Sequence, residues 1–249
     1  MTPTTQISPT LKFLGPQWFA IVMGLADLLH PVRHAYIATI TISMILLATL
    51  GTTLLGPSIV WASLWLIACV LQLAVTVWVL SRWLRSNTSG GFQWPGITPV
   101  LIIPVVGNVL VPLAGVPLGQ HEWAAVQFGI GAFQWPVLMA LIFMRIGVHG
   151  LWPDRLLPTA FITVAPAALI GLSLLRFETA PALAQGCWGI ALFFLLWSAQ
   201  VLKQMLAQPF SMVWWALSFP LAAFAALAVN QNRNAYYLEV IRPQHLAIR

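Results

Sequence analysis

Charged side chains are scarce in this chain. Only 6% of its 249 residues are Asp, Glu, Lys or Arg, against 60% apolar ones. Soluble domains carry roughly a quarter charged residues, so the composition excludes an ordinary soluble globule and leaves a membrane protein. Carboxylates are rarest: Asp27, Glu122, Asp154, Glu178 and Glu239 are the whole set, and none stands mid-way along an apolar run. A proton-coupled carrier usually keeps an intramembrane carboxylate or histidine as relay, so coupled transport is disfavoured. The two cysteines, Cys69 and Cys187, lie in separate apolar runs and supply no disulfide framework or metal cluster. Histidines 30, 34, 121, 149 and 245 are scattered without metal-ligand spacing. No nucleophile, base or metal constellation suggests an enzyme, and no cofactor is expected. A seven-helix retinal protein needs a lysine in its last span, yet the only lysines, Lys12 and Lys203, fall outside residues 211–229. The net charge of +6 comes from residues between apolar runs, with no basic block suited to nucleic acid. The opening MTPTTQISPTLKF lacks the pattern of a secretory signal and is expected to stay in the mature protein.

What is present is a series of long apolar runs. A helix needs about 20 such residues to cross the hydrocarbon core. Seven runs qualify, at 35–55, 59–81, 97–118, 123–144, 158–175, 182–202 and 211–229. No alternating strand pattern competes, so the expected fold is an all-α membrane protein with one transmembrane domain over 1–249. Residues 15–29 are apolar but too few to cross comfortably, and crossing would force Arg33 outside. They are expected to form a half-inserted helix after a cytoplasmic tail, 1–14, with a polar tail at 230–249. Trp61, Trp83, Trp94, Trp123, Trp152 and Trp214 sit near run ends, as interfacial tryptophans do. Lys12, Arg33, Arg82, Arg85, Arg145, Arg155 and Lys203 collect on one side, against only Arg176 on the other before the tail. That asymmetry predicts a multi-pass protein of the cell's inner (plasma) membrane with a cytoplasmic N-terminus.

The runs also alternate in kind. The third carries Pro104 and Pro112, the fifth Pro166 and the seventh Pro220, while the first is rich in hydroxyls: Thr39, Thr41, Ser43 and Thr49. The second and sixth have no internal proline; the fourth, with Pro136, departs from the rule. A proline inside a span frees a carbonyl and bends the helix. Unpaired backbone in lipid costs several kcal/mol, so broken helices belong against protein or a wet cavity. The alternation predicts hairpins of an inner kinked and an outer straight helix, repeated in degenerate form. A tightly packed bundle without any pore would tolerate the same kinks.

PQWFAIVMG near the N-terminus, HPVR at 30–33, IPVVGNVLVPLAGVPLG at 103–119 and WWALSFPLAAFAALA at 214–228 resemble the tellurite-resistance/dicarboxylate transporter family. That family includes bacterial voltage-independent anion channels, malate transporters and plant slow anion channels. The resemblance implies ten helices in five hairpins, odd-numbered helices around a central pore, and trimers with one pore per subunit. It also implies a phenylalanine of the ninth helix plugging the pore, and Phe219 matches it within WWALSFP. The seven runs map onto helices three to nine. Most of helix one, helix two and helix ten would then be absent, since HPVR follows PQWFAIVMG directly and a polar stretch follows Val229. The implied function is passive movement of small anions across the bilayer: chloride, nitrate, dicarboxylates or tellurite. Phe219 would be the gate, and Thr41, Pro104, Gly107, Asn108, Pro166, Ser218 and Pro220 would line or bend the path. A non-conducting, truncated family remnant or accessory subunit is the second expectation.

Overall fold

The computed structural model describes residues 34–81, 84, 94–178 and 181–236. The expected tail at 1–14 and half-inserted helix at 15–29 lie outside the described residues. All the regular structure described is helical. The α-helices are α1 (Ala38–Leu55), α2 (Ile59–Ser81), α3 (Ile103–Leu110), α4 (Pro112–Gly115), α5 (His121–His149), α6 (Val164–Arg176), α7 (Pro181–Ala199), α8 (Leu202–Leu206) and α9 (Ser218–Tyr236). Helix α9 runs on past Val229 through part of the stretch expected as a polar tail.

Among the described residues six segments are long and apolar enough to cross a membrane: α1, α2, α5, α7, Asp154–Arg176 and Met212–Gln231. The seventh expected span is shorter. Pro99–Gly115 is apolar but broken, because Pro99, Pro104 and Pro112 each remove a backbone donor. With about 2.0 Å per residue for the 3₁₀ turn and about 1.5 Å for the rest, it reaches about 28 Å, short of a hydrocarbon core of about 30 Å.

The breaks share one construction. Residues Pro99–Ile102 form a 3₁₀ turn that passes into α3, and Pro104 is the second residue of that helix. Residues Asp154–Thr163 are 3₁₀ and pass into α6, where Pro166 is third. Residues Met212–Leu217 are 3₁₀ and pass into α9, where Pro220 is third. A short 3₁₀ turn, His34–Ile37, leads into α1 as well. The first turn of an α-helix leaves its N–H groups unused, so proline fits there without losing a bond. The prolines therefore sit just inside the start of a new helix. They do not bend a continuous one. Pro136, by contrast, lies within the uninterrupted α5.

Three hairpins follow in chain order: α1 with α2, α3–α4 with α5, and α6 with α7. The 3₁₀-led members stand side by side. His34–Ile37 packs on Pro99–Ile102, that turn on Asp154–Thr163, and that segment on Met212–Leu217; α1, α3, α6 and α9 neighbour one another in the same order. Burial separates the two kinds of helix. Asp154–Arg176 is 89% buried, whereas α5 and α7 reach 28% and keep broad apolar faces outward. The last 3₁₀-led element, Met212–Gln231, is the exception at 17%. It stands at the end of the row, and among the described residues it does not pack extensively on α1 at the other end.

Apolar burial gains nothing between helices in lipid, so packing must be close to hold them. Gly131 of α5 shows how close. A Cβ there would stand 2.7 Å from Val109 Cγ1 and 3.0 Å from the Val105 carbonyl oxygen. The carbonyl belongs to α3 backbone and cannot swing aside. Gly131→Ala is therefore expected to separate α3 from α5 at a cost of about 1–3 kcal/mol, read as a lowered melting temperature of the detergent-solubilised protein. Gly129→Ala, which faces open space, should leave that temperature unchanged.

Candidate functional site

The broken third element is where polar groups converge. The Pro104 carbonyl accepts from Gln72 Nε2 at 2.7 Å and Asn108 Nδ2 at 3.0 Å, with Thr76 Oγ1 at 3.1 Å. Thr76 has one proton for two acceptors, since its hydroxyl also reaches the Gln72 carbonyl at 2.8 Å. Its oxygen accepts from Asn108 Nδ2 at 2.8 Å and from Gln72 Nε2 at 3.2 Å. From α1, the Thr41 hydroxyl donates to Gln72 Oε1 or to the Ala38 carbonyl. Thr41, Gln72, Thr76 and Asn108 are all buried. Helices α1, α2 and α3 are thus tied by one neutral knot around a single carbonyl.

The same element receives further donors downstream. Ser173 of α6 donates to the Val109 carbonyl at 2.6 Å, and Trp65 of α2 donates to the Val111 carbonyl at 3.0 Å. Gln127 of α5 donates to the Cys69 carbonyl of α2 at 2.8 Å. Two buried acceptors, Asn108 Oδ1 and Gln127 Oε1, have no hydrogen-bond partner. Gly107 is what lets the knot form: a Cβ there would fall 2.2 Å from Gln72 Cδ. Any side chain at 107 would push that amide off the Pro104 carbonyl.

A second hydroxyl cluster serves the 3₁₀ segment Asp154–Thr163. Thr163 and Ser198 both donate to the Ala160 carbonyl, at 2.7 and 3.0 Å. Thr159 donates to the Leu156 carbonyl at 2.6 Å and accepts from Trp152 Nε1 at 2.8 Å.

Of the residues singled out by sequence, Thr41, Pro104, Gly107 and Asn108 meet in the knot. Pro166 is buried in α6, and Ser218, Phe219 and Pro220 open α9. Ser218 donates to the Trp215 carbonyl at 2.8 Å, Pro220 is buried, and Phe219 is half-buried against the main core. Just before them, Trp214 and Leu217 pack on Leu157, Phe161 and Met205. Gln72, Thr76 and Gln127 join the site from helices that read as plain spans. The signal for Gln72 and Thr76 is the polar pair four apart in CVLQLAVTV, on one helical face. The groups on offer are neutral amides, hydroxyls and carbonyls. They can hold a polar ligand by hydrogen bonds but have no acid, base or nucleophile to transform it.

The clash at Gly107 yields a double-mutant test. Gly107→Ala alone should lower the melting temperature strongly, because Ala Cβ and the Gln72 amide cannot share the space. Gln72→Ala should cost about 1–3 kcal/mol through the lost hydrogen bonds. The double variant is expected to be no worse than Gln72→Ala alone, giving a favourable coupling in the thermal melts.

Residues 25–242, more than four fifths of the chain, match the SLAC1 family, described as voltage-dependent anion channel. An uncharacterized transporter of Methanocaldococcus jannaschii is 25% identical over 230 residues, covering 82% of this chain and 64% of its own. The S-type anion channel SLAH1 of Arabidopsis thaliana is 24% identical over 208 residues, covering 82% of this chain and 53% of its own. SLAH2 of the same plant is 25% identical over 206 residues, covering 82% and 39%. The chain therefore spans less than two thirds of the length of these relatives. The family is one of channels and transporters, not of enzymes. By a match along most of its length, this multi-pass helical membrane protein belongs to the SLAC1 family of voltage-dependent anion channels.

Proposed function

We propose that this protein is a passive anion channel or transporter whose path runs along the row of 3₁₀-led helices and is closed by Phe219. The observation that carries the reading is the repeated junction of a 3₁₀ segment, an α-helix and an early proline in the third, fifth and seventh spans. Each junction gathers carbonyls and N–H groups that are not bound in a regular α ladder, which supplies polar backbone without charge. Weak, spread-out attraction of that kind suits conduction, since a tight site would trap the ion. Family membership and the anion-channel names of the plant relatives support the same reading.

In this reading Phe219, half-buried at the Met212–Leu217 to α9 junction, is an apolar stopper. Pro220 fixes the turn behind it, and Ser218 keeps its hydroxyl on the Trp215 carbonyl. The carried species would be small anions, chloride and nitrate first, with dicarboxylates or tellurite as larger candidates. The functional particle would be a trimer in the inner membrane with its N-terminus in the cytoplasm. Arg145, Arg155 and Lys203 mark the cytoplasmic end: they flank the turn after α5 and the segment after α7, both at one end of the hairpins.

The exposure of Met212–Gln231 at the end of an open row favours one competing reading, a membrane protein that folds without a closed path. Anion efflux from liposomes separates the two. Phe219→Ala is expected to raise chloride and nitrate efflux by roughly an order of magnitude over a nearly silent wild type, as removal of an apolar constriction does. Folded, inserted protein that leaks in neither form would sink the channel reading.

A further inference from the structure

Helix α5 continues several residues beyond its expected end, and this brings Arg145 inside the bundle. Leu138, Ile142 and Arg145 form one inward stripe, and Arg145 is only 6% exposed. A buried guanidinium needs a partner, because stripping a cation of water costs several kcal/mol. No described carboxylate pairs with it. What it has is the Gly150 carbonyl, which accepts from Nη1, and the face of Trp152, whose centroid lies 5.6 Å from Cζ. Trp152 is itself fixed, 2% exposed and bonded through Nε1 to Thr159.

The bond to Gly150 has a plain structural use. It closes the C-terminal end of α5, where a cation also meets the negative pole of the helix. It engages only one corner of the guanidinium. Nε is buried with no partner, and Nη2 has none among the described residues. Those two nitrogens form the side edge of the guanidinium, where two parallel N–H bonds match the two oxygens of a carboxylate or phosphate. The edge is held rigid and unfilled, with Nε buried. Exposed His149, one turn on along α5, lies over Trp94 with ring centroids 5.2 Å apart, so aromatic rings crowd this end of the bundle.

We infer that the side edge of Arg145 is a binding site for an oxyanion of the phosphate type at the end of α5, separate from the knot around Pro104. The oxyanion is either a soluble ion or the phosphate of a lipid headgroup, both of which present paired oxygens to the fork. Chloride, with one centre, cannot use both N–H groups in the same way.

The test begins with thermal melts of the purified chain in uncharged detergent, adding sodium phosphate or sodium chloride at matched ionic strength. A soluble-ion site predicts a saturable upward shift with phosphate and little with chloride. Arg145→Lys, which keeps the charge and can still reach Gly150 but lacks the fork, should lose most of that shift. Arg145→Met should lose all of it. A lipid site predicts no phosphate shift but tightly held phospholipid in the wild type, counted by native mass spectrometry after passage through vesicles of phosphatidylcholine and phosphatidylglycerol. Arg145→Lys should retain less of it. If Arg145→Met does not fold, Arg145→Lys decides alone. Equal phosphate shifts and equal retained lipid in wild type and Arg145→Lys would overturn the inference and leave Arg145 as a helix-end clasp.

Discussion

One constraint governs this protein: backbone groups freed inside the membrane-facing bundle must be met by the protein itself. Lipid offers no donors, and each unmet group costs several kcal/mol. The third span breaks this rule most severely, with prolines at 99, 104 and 112 in one short element. Side-chain donors gather along the same element, in addition to backbone bonds such as that from the Gly115 N–H to the Val111 carbonyl. Gln72, Asn108 and Thr76 close on the Pro104 carbonyl, Ser173 on that of Val109 and Trp65 on that of Val111. Helices α2 and α6 thereby acquire fixed registers against one irregular segment.

The division of labour between helices follows from the same rule. Elements that start with 3₁₀ turns and early prolines carry irregular backbone, and two of the three, Pro99–Gly115 and Asp154–Arg176, are largely buried among other helices. Helices α2 and α7 have no internal proline, α5 has only Pro136, and all three can face lipid with Leu, Ile, Val and Phe. Small residues allow the close approach this demands. Gly107 makes room for an amide, Gly131 for a neighbouring backbone, and Gly171 for Leu227 of α9. In the absence of a hydrophobic force between helices, such contacts and the buried hydrogen bonds provide the attraction.

Much of this is legible in the sequence because prolines and apolar runs act locally. Run length and the lack of charge give the helical membrane class, and Pro104, Pro166 and Pro220 mark where the spans change character. The form of that change is not legible: proline in a span reads as a kink, whereas here a 3₁₀ segment ends and a helix begins anew beside it. The third run looks like a full span by composition, yet three missing donors shorten it. Gln72 escapes notice because one amide barely alters a span's hydropathy, and its meaning depends on Gly107 and Pro104 more than thirty residues away. Arg145 reads as a loop charge at the edge of a run. Only its spacing from Leu138 and Ile142 reveals that it turns inward.

The knot also has a direction in time. A chain is threaded into the membrane from its N-terminus, and each hairpin must find company for its polar backbone as it leaves the translocation machinery. Gln72, backed by Thr41, and Thr76 belong to the first hairpin, and the two α2 side chains wait for the Pro104 carbonyl of the second. Ser173 belongs to the third and reaches back to Val109 of the second. The broken third and fifth spans thus meet donors already inserted or soon to follow next door. The order of synthesis and the order of the row are the same, so the bundle can be laid down one hairpin at a time with its most irregular piece sheltered from both sides.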